Sequence, residues 1–418
     1  MEFVKHITPS PNSGSDKSQT ATNLPNQSNQ RLSKTTRIVK SIQDFTTTFN
    51  NQCQKTDPDS MIEFEINMLT CPTSIFMVLV MILWGAVAES AQEIKKCLGL
   101  ENVDIEPQDL IETMNILSPI LSDGNRIVEM ANFVLANKAY EIVPAFRDRV
   151  IKCAEFEAIN FSNLSSVCAK INSIANARTH GMISEIIKPD GIDPDTTVVL
   201  MAIIYMKIIF CKKFDTKLTR RDAVFHGSLG DSKVDMMYQR GDFLFGKTNP
   251  NHGLKPFTVL EIPCEGGFYL GFALMDDENY PITMEMFSDP GFQSAWNNLR
   301  EREVDTYIPK FSHEQCTNVI PPMRSIGVNG IFDNNSALSG MVTQGSYVYK
   351  FECHLALKIT EEGVEASAVA VACCMEKCMA RPSKPERFIF DRCGGYYIRD
   401  DNTNVKWFTG VFDPKPST

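Results

Sequence analysis

The spacing of apolar and polar positions changes several times along the chain, and the changes sketch its elements. The longest apolar run, Ile75–Ala88 (IFMVLVMILWGAVA), falls short of the ~20 residues a membrane-spanning helix needs. It predicts a buried helix inside Thr73–Leu98, with the polar stretch Glu89–Lys96 exposed. Thr196–Phe210 (TTVVLMAIIYMKIIF) is long, apolar and rich in β-branched residues, as a central strand buried on both faces should be. Ile127–Leu135, Lys233–Tyr238, Phe257–Ile262, Gly267–Leu274, Val304–Pro309, Tyr347–Ile359, Arg387–Ile389, Tyr396–Arg399 and Trp407–Val411 read as further strands. Ile142–Ala158 and Val167–Ile187, the latter broken at Gly181, read as helices. Long strands and helices without a βαβ rhythm place the chain in the α+β class. No shift in composition divides residues 40–418, so one large domain is expected.

Composition refines the two ends. Residues 1–36 are rich in Ser, Thr, Asn, Gln and Pro, a composition that cannot repay the entropy of ordering, and predict a disordered polar extension. The basic cluster Arg31–Lys40 at its end reads as the solvated start of a helix. The first residues lack the apolar core of a secretory signal, which points to the cytoplasm or to unconventional secretion. Net charge is −10, which argues against nucleic acid, since phosphate binding needs a basic surface.

The chemistry-bearing residues form no known catalytic pattern. Thirteen cysteines at irregular spacing, none in CxxC, suit free thiols in a reducing compartment better than a disulfide framework. The six histidines include no HExxH or zinc-finger spacing, and no nucleophile elbow, P-loop or dinucleotide fingerprint occurs. Cys373, Cys374 and Cys378 form CCxxxC, but a structural zinc wants four ligands. No catalytic residue, metal or cofactor is therefore expected, and an enzyme is not.

Several segments, in order, resemble one family. They are Asn67–Ile75 (NMLTCPTSI), Gly85–Leu100 (GAVAESAQEIKKCLGL), Asn160–Ser162, Ile171–Gly181, the set Met236, Met237, Gly241 and Phe243, Ile308–Phe311 (IPKF), Gly327–Gly340 (GVNGIFDNNSALSG), Glu361–Ala372 and Trp407–Pro414. Together they are similar to the serpins, with the ovalbumin-like intracellular type most similar. The resemblance implies a serpin domain over 37–418 with three β-sheets, eight or nine helices and an exposed reactive-centre loop at about 361–386. It also implies a shutter region at Cys71, Pro72, Ser74, Ala202, Cys353 and His354. Cys71 stands where serine is usual, and Ala202, Ile208 and Phe210 stand where Asn, Gly and Trp are usual. Cys353 takes the place of the shutter histidine, with His354 one residue later. Cys393–Tyr397 replaces a Pro-Phe-rich strand.

The resemblance implies a suicide inhibitor. A protease cuts the loop, forms an acyl-enzyme and is trapped when the loop enters the main sheet. The loop hinge is Glu361, Glu362, Gly363, Val364, Glu365, Ala366, Ser367, Ala368, Val369 and Ala370, with Val364 where threonine or serine is usual. Along an extended chain Val364, Ala366, Ala368, Ala370, Ala372 and Cys374 share one face, and every one is apolar, so that face can be buried without an unpaired polar group. No proline lies between Gly363 and Met379, so every amide there can join a ladder. Family spacing puts the reactive bond at Lys377–Cys378. Counting back from the Ile398–Asp400 strand puts it at Ala380–Arg381 instead. Lys377 and Arg381 both suit a trypsin-like serine protease with an acidic specificity pocket. Two other roles stay open: a non-inhibitory serpin (chaperone, carrier or storage), and a cross-class inhibitor of a cysteine protease with Cys373, Cys374 and Cys378 as redox modulators. The expected partner is the target protease, with neither nucleic acid nor membrane, and the chain is expected to be mainly a monomer able to form loop-sheet polymers.

Overall fold

The computed structural model describes residues 26–53, 67–118, 128–161, 165–188, 196–206, 209–250, 253–277, 282–333, 337–343, 346–363 and 384–416. Eight α-helices lie among them: α1 (Asn26–Cys53), α2 (Pro72–Leu83), α3 (Ala88–Cys97), α4 (Pro107–Leu117), α5 (Pro144–Val150), α6 (Ser165–Arg178), α7 (Pro290–Asn297) and α8 (Ile320–Ile326). The apolar run becomes α2, in which every residue is buried. Pro72 starts it, where a missing N–H costs nothing. The helix α1 buries Ile38, Ile42, Phe45 and Phe49 at helical spacing. It begins at Asn26, so residues 26–36, expected to be disordered, are helical here. The apolar stripe that starts at Ile38 anchors the helix, and Lys34 ties it to Asp109 of α4 at 2.6 Å. No helix among the described residues is long and apolar enough to cross a membrane.

Two helical expectations are corrected. In Ile142–Ala158 only Pro144–Val150 is helical. The apolar helical face ends with Phe146 and Val150, and the chain then extends to pair with a neighbouring strand. In Val167–Ile187 the helix stops at Arg178. His180 and Gly181 both take left-handed backbone, with φ of 50° and 86°, which no α-helix continues through.

The strands are β1 (Met68–Thr70), β2 (Val128–Asn137), β3 (Glu155–Ile159), β4 (Val198–Met206), β5 (Arg220–Gly227), β6 (Gly230–Lys247), β7 (Phe257–Cys264), β8 (Phe268–Met275), β9 (Arg300–Pro309), β10 (Phe311–Asn318), β11 (Val348–Ile359), β12 (Glu386–Ile389), β13 (Gly394–Asp400) and β14 (Lys406–Phe412). They form a five-stranded sheet in the order β10-β11-β4-β2-β3. A nine-stranded network runs β1-β14-β13-β8-β7-β6-β9-β12, with β5 on β6. The multiple sheets of the expected α+β fold are thus present as two hydrogen-bonded networks, because the long β6 runs unbroken through the larger one. Its first half carries β5 and its last residues carry β7.

The main core lies between α1, α2, one face of the five-stranded sheet and the nine-stranded network. A second core fills the space between α6 and the other face of the five-stranded sheet. The unusual strand that contains Gly394–Tyr397 sits in the middle of the nine-stranded network, between β8 and β14. A side chain at Gly395 would meet Met286 at 2.5 Å, and one at Gly271 would meet the Tyr397 ring at 2.2 Å. The aromatic bulk missing at 394–395 is supplied by Tyr396 and Tyr397, both fully buried. The Tyr397 hydroxyl donates to Glu261 at 2.8 Å, and Arg399 forms two further bonds to the same carboxylate.

Candidate functional site

The centre of the five-stranded sheet carries an inconsistency of direction. β11 runs antiparallel to β10, and β4 runs antiparallel to β2, but β4 and β11 run parallel to each other. Every residue of β4 is buried, as the sequence pattern predicts. A parallel pair is slightly weaker per residue than an antiparallel one. A strand running against both β4 and β11 would replace this one parallel seam with two antiparallel pairs.

The chain beyond β11 already turns toward that seam. Gly363 N–H donates to Thr360 O at 3.1 Å, and Thr360 N–H donates to Gly363 O at 2.8 Å. Glu361 and Glu362 form the tip of this tight reversal, and Gly363 has φ 115°, a conformation side chains disfavour. Gly363 bridges antiparallel to Thr360 on one side and to Ile209, just past β4, on the other. The turn is pinned by main-chain bonds from Phe210 N–H to Glu362 O (3.1 Å) and from Phe214 N–H to Glu361 O (2.8 Å). The Glu361 carboxylate is buried. It accepts from Lys310 at 3.0 Å and from the Thr219 hydroxyl at 2.9 Å. Burial pushes its pKa up, but the bonds from Lys310, the main chain and Thr219 outweigh that and hold it below the usual carboxylate value. Glu362 is exposed and faces Lys213 at 3.6 Å.

Lower down the seam, Cys353 and Ala202 stand side by side and face the main core with Cys71. Burial pushes the Cys71 thiol up to about 12. Burial also raises the Cys353 thiol well above its ordinary value, with the thiols of Cys71, Cys316 and Cys53 adding to it. Pro72 opens α2 and Ser74 lies in its first turn. The Ser74 hydroxyl donates to Asn132 Oδ1 at 3.3 Å, and Asn132 pairs with Ala202 across β2–β4. An amide absent at 202 is thus supplied from the adjacent strand. His354 does not stand in for the missing histidine. Neighbouring residues on a strand point to opposite faces, and His354 lies on the side of Ala356, which packs beneath α6.

The structure therefore brings Glu361, Glu362 and Gly363 to the top of the seam and Cys71, Pro72, Ser74, Ala202 and Cys353 to its middle. Val364, Glu365, Ala366, Ser367, Ala368, Val369 and Ala370, Ile208, the thiols Cys373 and Cys374, and the reactive-bond candidates Lys377, Cys378, Ala380 and Arg381 lie outside the described residues. Sequence reasoning missed Lys310, Thr219 and Phe214 as anchors of the turn. Lys310 was visible in the IPKF motif, whereas Thr219 and Phe214 carry no sequence signal. Asn132 was also missed, hidden in a strand pattern otherwise apolar.

A sequence profile described as "Serpin (serine protease inhibitor)" matches residues 40–414. Serpin B4 of Homo sapiens is 28% identical over 374 residues, covering 83% of this chain and 93% of that protein. Neuroserpin of Gallus gallus is 26% identical over 314 residues, covering 73% of this chain and 76% of the relative. Among solved structures, native protease nexin-1 with heparin superimposes with a TM-score of 0.75 at 22% identity, covering 91% of this chain and all of that one. Thyroxine-binding globulin in complex with thyroxine gives 0.74 at 21% identity, covering 91% and 99%.

Proposed function

Because the chain belongs to the serpin family, whose members are protease inhibitors rather than enzymes, we propose that it is a suicide inhibitor of a trypsin-like serine protease. One observation carries this reading: Gly363 already pairs antiparallel with both Thr360 and Ile209, at the mouth of the parallel seam. Continuing that pairing residue by residue sets a register. Ala366, Ala368, Ala370 and Ala372 fall opposite Leu357, Leu355, Cys353 and Phe351 of β11 and opposite Met206, Ile204, Ala202 and Leu200 of β4. All eight of those residues face the main core. The small apolar set thus enters the buried face with nothing polar left unpaired, and the other set begins with Glu365 opposite Lys358, an opposite-charge pair across strands.

The chemistry follows from the reactive bond. The protease hydroxyl attacks the Lys377 carbonyl carbon, the Lys377–Cys378 bond breaks, the Cys378 amine leaves with a proton, and Lys377 remains as an ester on the protease. The freed loop then extends down the seam. From Gly363 to Lys377 it spans on the order of 45 Å at about 3.3 Å per residue, carrying the esterified protease toward the far end of the sheet before water can release it. The chain acts as a monomer in the cytoplasm or after unconventional export, and neither nucleic acid nor a membrane takes part.

A non-inhibitory, carrier-type serpin is the second reading. The thiols Cys71 and Cys353 favour it, because two apolar thiols stand where the family resemblance implies serine and histidine, which leaves the Ser74–Asn132 bond as the polar link described at the seam's middle. Incubation with trypsin separates the two. An inhibitor gives a protease complex that survives SDS and boiling, and mass spectrometry of the released C-terminal peptide begins at Cys378. A plain cleaved product with no complex sinks the inhibitory reading. A peptide beginning at Arg381 (cleavage after Ala380) or at Pro382 (cleavage after Arg381) moves the bond, and a complex formed only with a cysteine protease moves the target class.

A further inference from the structure

On the face of the five-stranded sheet away from the main core, three side chains converge. Cys316 of β10 pairs directly with His354 of β11, and Glu352 lies two residues before His354 on the same face. Cys316 Sγ is 3.7 Å from His354 Nε2, and Glu352 Oε2 is 3.2 Å from the same nitrogen. All three donor atoms lie within 4.8 Å of one another. The second carboxylate oxygen of Glu352 is held by Lys350 at 3.0 Å.

The arrangement can be sorted by where the partners meet. A thiol–imidazole–carboxylate relay places its thiol and carboxylate on opposite ring nitrogens. Here both meet at Nε2, and one proton on that nitrogen can serve only one of them. Three donor atoms of sulfur, nitrogen and oxygen type drawn this close together suit an ion held between them. Zinc bonds of about 2.3 Å to sulfur and about 2.0 Å to nitrogen or oxygen, at the tetrahedral angle, separate S from N by about 3.5 Å and N from O by about 3.3 Å. The distances of 3.7 Å and 3.2 Å to Nε2 lie within about 0.2 Å of these. The residue pattern also fits: three protein ligands of mixed S, N and O type leave a fourth position for water. Glu352 and His354 are largely shielded while Cys316 is exposed, so an ion has an entry path.

The geometry points to a zinc-class divalent cation site formed by Cys316, Glu352 and His354, with water as the fourth ligand. It joins β10 to β11 and lies to one side of the β4–β11 seam. The site needs no residue of the loop, so its failure would leave the inhibitory reading untouched; in the register above, the inserted loop would bring Val369 and Val371 beside His354 and Glu352 on that face.

The test uses the full-length chain, reduced, stripped with a chelator and titrated with Co²⁺ and then Zn²⁺. One equivalent of Co²⁺ should give a thiolate-to-cobalt charge-transfer band, which one equivalent of Zn²⁺ abolishes. Cys316→Ser and His354→Ala should each lose the band, and Glu352→Gln should weaken binding at least about tenfold. A variant carrying Cys373→Ser, Cys374→Ser and Cys378→Ser should keep it. Melting curves without metal check that each variant is folded, and the exposed Cys316→Ser supplies the test if His354→Ala is not. Absence of a band, a band that survives Cys316→Ser, or one that disappears with the loop serines would each overturn the site.

Discussion

Placing a charge at residue 370 tests the insertion register where it is most demanding. Continued pairing from Gly363 puts Ala370 between Cys353 and Ala202, residues 1% and 0% exposed, facing the main core. In Ala370→Lys, insertion has to bury an ammonium group. The cheapest route is to shed its proton. From an ordinary lysine value near 10.4 to pH 7.4 that costs about 4 kcal/mol, at about 1.36 kcal/mol per unit. Fully felt in the insertion step, this slows it by about 10³-fold. Hydrolysis of the acyl-enzyme then wins, so the variant should be cleaved as an ordinary substrate. The assay is SDS-stable complex formation with trypsin, beside the melting temperature of the loop-cleaved protein, which rises when the loop inserts. Ala370→Lys should lose both signals. Glu365→Ala, on the opposite face beside Lys358, should keep both. An undiminished complex from Ala370→Lys would refute the register, and loss of both signals in Glu365→Ala would show that the loop tolerates no change, so that face is not the reason.

Three further outcomes are expected. Lys377→Ala should abolish trapping of a trypsin-like protease, and trapping that persists with cleavage after Arg381 would relocate the bond. Glu361→Gln should loosen the turn by about 1.5–3 kcal/mol, the worth of hydrogen bonds to a charged group. The folded-state carboxyl lies below its usual value near 4.5, so this stability is present above that pH and is lost as pH falls through the folded value. Melting temperatures of the two proteins should therefore converge in acid, and a constant gap would refute the assignment. His313, 3% exposed on β10 and bonded to the Tyr396 hydroxyl at 2.6 Å, is pushed down from 6.5 to about 4, chiefly by burial. The unfolded chain then takes up a proton that the folded one refuses, so between pH 6.5 and about 4 acid should remove up to about 3 kcal/mol. A His313→Gln melting profile equally steep over that window would assign the loss to other groups.

What the sequence disclosed and what it withheld divide along one physical line. Strand and helix periods depend on neighbours a few residues apart, so α2, β4 and β11 were legible from their side chains alone. The same local logic misled at Ile142–Ala158, where apolar spacing suits either a helix or a strand, and pairing with β2 decided the outcome. The seam is a different kind of feature. That β4 and β11 run parallel depends on the path of some 140 residues between them, and no window of sequence contains it. The loop's alternation of small apolar residues was readable, but only the bridge of Gly363 to Ile209 and Thr360 gives that alternation a face to meet. Cys353 and His354 make the same point. In sequence they are neighbours competing for one role, whereas on a strand they are on opposite sides of a sheet. One lines the seam's core face with Cys71, and the other meets Cys316 and Glu352 on the far face. A substitution that looks like a one-residue slip of a histidine is thus two independent changes, and each should respond to mutation without the other.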